Sequence, residues 1–270
     1  MHGKACRFVP RLRAGILIAA MGGLRRICHG SGLVLYRSPL LEELSIPHAF
    51  TTRVGVGGEV LCVRELDSAN LAALCDASGL QTGRPRFARQ VHGSNVVEVA
   101  EKAVEAEADG LTSTLPGTAI GVYTADCVPI LLAAEDGSRV AAVHAGWRGL
   151  LAGVIPTALA RFEGATVVAA IGACLSTKRC EMGPEVSRRF VETDLAESVL
   201  CEPGRRDHVD VRGAAVLQLQ RAGVQAIDVS EHCTFDARAE FGSHRRDVTH
   251  GNQTRATSQG ALIACPGAPG

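Results

Sequence analysis

Two apolar runs joined by a short polar turn constrain this chain more than any other feature. Residues 128–134 read Val-Pro-Ile-Leu-Leu-Ala-Ala, residues 140–144 read Val-Ala-Ala-Val-His, and Glu135-Asp136-Gly137-Ser138 lies between them. Apolar runs of strand length, flanked by turn-forming residues, read as a strand, a hairpin turn and a return strand. A third run, 119–124, leads into this hairpin through Ala125-Asp126-Cys127, and we expect it to be the same strand interrupted there. Antiparallel pairing across the turn can bring Cys127 and His144 together. The register to one residue is not set by the pattern.

Around this hairpin the pattern predicts further strands at 167–171 and 226–229. Gly93-Ser94-Asn95 reads as a turn in a strand–turn–strand unit around His92. Helical periodicity falls at 68–78, 149–162, 184–194 and 211–222, with Pro156 in a first turn or at a kink. Hydrophobic residues make up 46% of the chain and aromatics only 4%, so Ala, Val, Leu and Ile must build the core. No repeat, linker or second core divides the 270 residues. We therefore expect one α/β domain over 31–265 with a mixed, largely antiparallel sheet.

Residues 1–30 read differently. Arg11-Leu12-Arg13 precedes an apolar run at 14–20 that is too short to cross a bilayer, and Arg25-Arg26 follows in place of a cleavage site. With Met21 as an alternative start, this stretch is either a poorly ordered extension or an over-extended reading frame. The expected location is cytoplasmic. Lys plus Arg and Asp plus Glu are equal at 28 each, which gives no field to steer the chain onto nucleic acid or a membrane surface. Arginines cluster only locally, at Arg205-Arg206 and Arg245-Arg246. The 10 cysteines contain no Cys-x-x-Cys pair, and most read as small hydrophobes in a reducing compartment.

Three residues carry the chemistry. His92, Cys127 and His144 each sit in an apolar stretch beside turn formers. One thiolate with two imidazoles suits zinc and leaves a fourth position open for water or substrate. The same set also suits copper. Multi-copper chemistry, however, needs several coppers and His-x-His pairs, and none of the 9 histidines forms such a pair. The plainer alternative is two strand-end histidines bonded to the backbone beside a buried cysteine.

Other residues have two readings each. Arg148, after Trp147 and between two glycines, can grip a phosphate with its planar fork or form a surface ion pair. Arg53 precedes the Gly55-Val56-Gly57-Gly58 turn, where the backbone can approach a ligand. Arg246 contacts a ligand or pairs with Asp247. Asp126 is a general acid or a cap on the strand end.

Taken in order, the motifs match a known family. Phe50-Thr51-Thr52-Arg53, Gln90-Val91-His92-Gly93, Ala108-Asp109-Gly110 and Thr124-Ala125-Asp126-Cys127-Val128-Pro129 come first. His144-Ala145-Gly146-Trp147-Arg148-Gly149, Glu181-Met182-Gly183, Cys233-Thr234 and Arg245-Arg246-Asp247 follow. Over about residues 33–255 the chain resembles the laccase-domain family, once called multicopper polyphenol oxidoreductases and now described as purine nucleoside phosphorylases.

The resemblance implies a single-domain α/β sandwich, akin to cytotoxic deamidase toxins, with zinc on His92, Cys127 and His144. It implies phosphorolysis of adenosine, inosine, guanosine and methylthioadenosine, together with deamination of adenosine. Asp126 and Cys127 become catalytic candidates, and Arg53, Gln90, Arg148 and Arg246 substrate or phosphate contacts. Purine nucleosides and phosphate are the implied partners, with a monomer or homodimer as the assembly. The chain departs from the family pattern at Cys180, where tyrosine is usual, at Gly172-Ala173 in place of Gly-Pro, and at His250-Gly251-Asn252 in place of Thr-Gly-Arg. The rival function is a cysteine hydrolase or deamidase, with Cys127 as nucleophile and a histidine as base.

Overall fold

The runs at 119–124 and 128–134 both become strands, but they do not share a sheet. The computed structural model describes residues 21–81, 83–99, 106–201 and 206–267. Its seven-stranded sheet runs in the order Met21–Gly22, Ile227–Val229, Val167–Ile171, Val128–Ala134, Val140–Ala145, Gly110–Ser113, Val96–Glu98. A five-stranded sheet runs Arg25–Cys28, Val34–Arg37, His48–Thr51, Gln259–Ile263, Ile120–Thr124. Most pairings are antiparallel and the three parallel ones all lie in the seven-stranded sheet, which fits the expected mixed, largely antiparallel α/β arrangement. The one continuous strand expected across 119–134 is instead two strands. Asp126, with φ +96°, turns the chain from one sheet into the other just before Cys127.

The central strands are buried on both faces, which explains their near-continuous apolar sequence. Phe50, Ile120 and Ile263 of the five-stranded sheet pack on Leu131, Ala133, Val140 and Ala142 of the seven-stranded one. The opposite face of the larger sheet carries Ile130, Leu132 and Val143, covered by Leu150, Ile155, Ala214 and Leu219. The smaller sheet is covered by Leu74 of the helix Ser68–Ser78. The layers therefore run helix, sheet, sheet, helices.

Local chemistry sets the element boundaries. Asp67 caps the helix Ser68–Ser78 by accepting the Asn70 N–H, and Gly79 ends it in the left-handed region. The expected helix at 149–162 is two helices, Trp147–Ala152 and Val154–Leu159, broken at Gly153 with φ +79°. Pro156 sits in the first turn of the second, where its missing N–H costs nothing. Among the described residues all cysteines are free thiols. No helix among them is long and apolar enough to cross a membrane.

The folded part begins earlier than residue 31. Residues 1–20 lie outside the described ones, but Arg25–Cys28 pairs along its length with Val34–Arg37. Arg26 also bonds Glu240 at 2.7 Å, and Arg25 bonds Glu42 at 2.6 Å. A chain starting at Ser31 is therefore expected to melt below one starting at Met21. Losing the edge strands Met21–Gly22 and Arg25–Cys28 with two exposed ion pairs amounts to about 2 kcal/mol, or roughly 4–8 °C at this size. Equal melting temperatures in a thermal scan would show that these strands add nothing.

Candidate metal centre

The strand pairing fixes two of the three candidate ligands. Pro129 lies opposite His144 and Val128 opposite Ala145, so Cys127, one residue earlier, comes beside Gly146 at the end of the ladder. Alternation along Val140–Ala145 places His144 on the side of Val140 and Ala142, the face toward the second sheet. His92 arrives from the irregular loop before the strand Val96–Glu98. The ligand atoms of His92, Cys127 and His144 all lie within 4.8 Å of one another. They are the one such group of His, Cys, Asp or Glu among the described residues that can hold a metal ion. His144 is buried, Cys127 half-buried and His92 exposed, so the site opens to solvent on the His92 side.

The glycines of His144-Ala145-Gly146-Trp147-Arg148-Gly149 have a steric reason. A Cβ on Gly146 would sit 3.1 Å from Cys127 Sγ and 3.2 Å from His92 Cδ2. A Cβ on Gly149 would meet the Gly93 carbonyl oxygen at 2.9 Å. Bare backbone is needed to let the helix start approach the ligand cluster.

Asp109 braces the site. Its fully buried carboxylate accepts the backbone N–H groups of Val91, His92 and Gly93 at 3.2, 2.9 and 2.6 Å. It also accepts the Nδ1–H of His144 at 2.7 Å. A carboxylate with four donors must be ionised. Burial pushes the Asp109 carboxyl up, but the hydrogen bonds from His144 and the loop outweigh it and hold the group below the usual range. His144 is thereby fixed with its proton on Nδ1, and Nε2 is left to face Cys127, the arrangement seen when a carboxylate orients a metal-ligating histidine. His48 provides the contrast. Its Nδ1 bonds the Ile46 carbonyl and its Nε2 accepts the Ser38 N–H, so both nitrogens are spent on backbone.

Burial also pushes the Cys127 thiol up, yet His144 and His92 beside it bring it down to about 6. Burial lowers His144, while the Cys127 thiolate and Asp109 raise it to about 9. The cluster therefore favours a thiolate, the form in which cysteine binds metal or acts as a nucleophile.

Two non-glycine residues here have left-handed backbones, His92 at φ +61° and Asp126 at φ +96°. Such conformations cost about 1–3 kcal/mol each and persist where surrounding bonds over-determine them. Asp109 does this for His92. For Asp126, the Thr234 hydroxyl donates to Oδ1 and the Arg245 N–H to Oδ2, each at 2.6 Å, and its carbonyl accepts the Leu175 N–H. With both oxygens engaged, Asp126 holds the turn that presents Cys127.

The remaining candidates are spread out. Arg148 is exposed, with its guanidinium 4.3 Å from the Trp147 ring centre, and Arg189 lies over the same ring at 5.4 Å. The Gln90 amide clamps Tyr123, donating to its carbonyl and accepting its N–H. Arg53 is half-buried near Asp247, whose carboxyl it helps to lower after Arg246 and the Ser243 N–H. Arg246 is buried among protein acceptors. Its guanidinium donates to Asp247 twice, to Phe241 O, and to the carbonyls of Thr234 and Phe235. All five of its donors are spent, so the ion-pair reading describes Arg246. Sequence reasoning gave Asp109 and Thr234 no role, because nothing local ties them to residues 17 and 108 positions away.

A Shigella flexneri protein named purine nucleoside phosphorylase YfiH is 34% identical over 203 residues, covering 68% of this chain and 84% of the relative. A purine nucleoside phosphorylase of Deinococcus radiodurans is 35% identical over 232 residues, covering 80% and 89%. Among solved structures, Neisseria meningitidis protein NMB0706 is similar with a TM-score of 0.67 at 29% identity, covering 82% of this chain and 94% of that one. Bacillus licheniformis YfiH shares the fold with a TM-score of 0.72 at 20% identity, covering 88% and 98%. A family model described as multi-copper polyphenol oxidoreductase laccase matches residues 56–258. By that match the chain belongs to the multi-copper polyphenol oxidoreductase laccase family.

Proposed function

We propose that this protein is a zinc-dependent purine nucleoside phosphorylase that also deaminates adenosine. The observation that carries the reading is the Asp109-braced cluster of His92, Cys127 and His144, in a chain whose relatives bear the phosphorylase name. One thiolate, two imidazoles and an open side fit a catalytic zinc better than a closed structural site. Copper is the less favoured occupant, because multi-copper chemistry needs more donor clusters than the described residues supply. A zinc ion held there would supply Lewis-acid activation of water for deamination.

In phosphorolysis a phosphate oxygen bonds to the ribose anomeric carbon as the bond to the purine nitrogen breaks. The electron pair leaves with the base, which takes a proton, and the products are free purine and ribose 1-phosphate. Arg148 and Arg53 are proposed substrate contacts from the motif. Asp126 acts as a positioning residue for Cys127. Adenosine, inosine, guanosine and methylthioadenosine are the proposed substrates, and the cytoplasm the proposed location.

A second reading has its own observation. Cys127, His144 and Asp109 stand in the order nucleophile, base and orienting carboxylate, and the thiol is brought down to about 6. A cysteine hydrolase or deamidase would use the same three groups without metal.

The deciding experiment incubates purified protein with adenosine and phosphate, separates the products by chromatography and measures metal content. Adenine, ribose 1-phosphate and inosine are expected, with close to one zinc per chain. Oxidation of a phenol with dioxygen uptake, and no nucleoside consumed, would place the protein in a different reaction class.

A further inference from the structure

The paired arginines of Arg245-Arg246-Asp247 have separate fates. Arg246 is walled in by acceptors, whereas Arg245 lines a cavity of about 250 Å³ together with Lys178, Arg179, Glu181, Phe235 and His250. Arg245 belongs to a single π-helical turn, Arg245–Thr249, a rare geometry that recurs at functional sites.

Three cations and one carboxylate line this cavity. Arg179 is paired with Asp236 at 2.6 Å and stacks on Phe235, with its guanidinium carbon 4.5 Å from the ring centre. Arg245 donates to the Glu181 carbonyl at 3.0 Å and has no carboxylate partner among the described ion pairs. Lys178 is exposed at the rim. A concave surface with cations in excess and spare guanidinium donors is suited to a compact oxyanion. Glu181 adds an acceptor for a P–OH group or a sugar hydroxyl.

The cavity is joined to the metal centre through one residue. The Arg245 backbone N–H holds Asp126, which immediately precedes Cys127. Cys180, between Arg179 and Glu181 in the chain, is buried behind these two lining residues. The backbone of one residue lining this cavity thus holds the turn that presents the thiolate.

We propose that Arg245 and Lys178, over the face of Phe235, form an oxyanion subsite that receives the phosphate consumed in phosphorolysis. This rests on the phosphorylase reading for its substrate. The binding chemistry itself rests on the cavity alone.

The test titrates inorganic phosphate into the metal-loaded protein by calorimetry and measures KM for phosphate and for adenosine. Arg245→Ala keeps the backbone N–H that holds Asp126, so the turn before Cys127 is retained. It should raise the phosphate Kd and KM roughly 10- to 100-fold, the loss of one charge-assisted contact, with a far smaller change in KM for adenosine. Arg245→Lys should recover part of the loss. Lys178→Glu, at an exposed position, should weaken phosphate binding as well and serves if Arg245→Ala melts early.

No saturable phosphate binding by the wild type would overturn the subsite. So would unchanged phosphate Kd and KM in folded Arg245→Ala and Lys178→Glu, even with adenine still formed; the phosphorylase reading would then stand without it. Arg245-dependent phosphate binding in a protein that forms no adenine would uphold the subsite and overturn that reading.

Discussion

Cys127→Ala is expected to lose its metal and its turnover of nucleosides together. Cys127 is the only anionic member of the three-donor cluster, and the neighbouring imidazoles already hold it as a thiolate. Alanine removes both the charge and the donor atom. If zinc is bound with a free energy on the order of 10 kcal/mol, one ligand in three carries about 3–4 kcal/mol, which is roughly a 10²- to 10³-fold loss of affinity. Metal analysis after gel filtration and an adenosine assay read the two effects. A full complement of metal in Cys127→Ala would remove this residue from the ligand set. Chelator-treated wild type adds a pH arm. Alkylation of Cys127 should rise through pH about 6, well below the ordinary thiol range, and added zinc should protect it. Full activity without metal, abolished by alkylation, would favour the nucleophile reading.

Asp109→Ala should have the largest effect on stability of any single change at the site. It strands three backbone donors and the Nδ1–H of His144 in a buried space. Removing one partner of a buried, charge-assisted network costs about 3–5 kcal/mol. Releasing the histidine's orientation lowers metal affinity by roughly 10- to 100-fold. Asp109→Asn should be milder, because one side-chain oxygen still accepts while the amide nitrogen opposes the donors on the other side. Thermal melts with and without zinc measure both terms. Wild-type melting and wild-type zinc affinity in Asp109→Ala would show that the brace is dispensable.

The same residue sets a pH dependence. The folded pKa of Asp109 lies below its ordinary value of 3.8, so its stabilisation is fully present above that value and is lost as pH falls through the lowered one. Acid unfolding of the wild type should therefore have a component that Asp109→Ala lacks.

The parts of this site legible in the sequence were those with a local physical signature. The hairpin of apolar runs predicted the meeting of Cys127 with His144, and the pairing of Pro129 with His144 bears it out. The helix expected at 68–78 forms over Ser68–Ser78, because its Asp67 cap and Gly79 stop are written in adjacent residues. What escaped was set at long range. Asp126 looked like a proton donor, and its capture by Thr234 and Arg245 depends on a docking of distant segments that no local pattern encodes. Arg246 looked like a ligand contact because paired arginines near a motif suggest anions. Only the packed structure separates the one whose donors are spent from the one beside it that faces a cavity. The change of sheet at Asp126 was also invisible, since a run of apolar residues has the same composition whether it continues one ladder or begins another.

That change of sheet has a kinetic consequence. The turn presenting Cys127 is clasped by residues 108 and 119 positions further along the chain. Closing loops of that length is slow compared with forming a hairpin. On a nascent chain the hairpin of Val128–Ala134 and Val140–Ala145 can form long before its clasp has been synthesised, leaving the thiolate on an unsecured turn. The turn before Cys127 is therefore secured late, once the segments carrying Thr234 and Arg245 have docked. In the zinc reading, metal uptake would report the completion of folding.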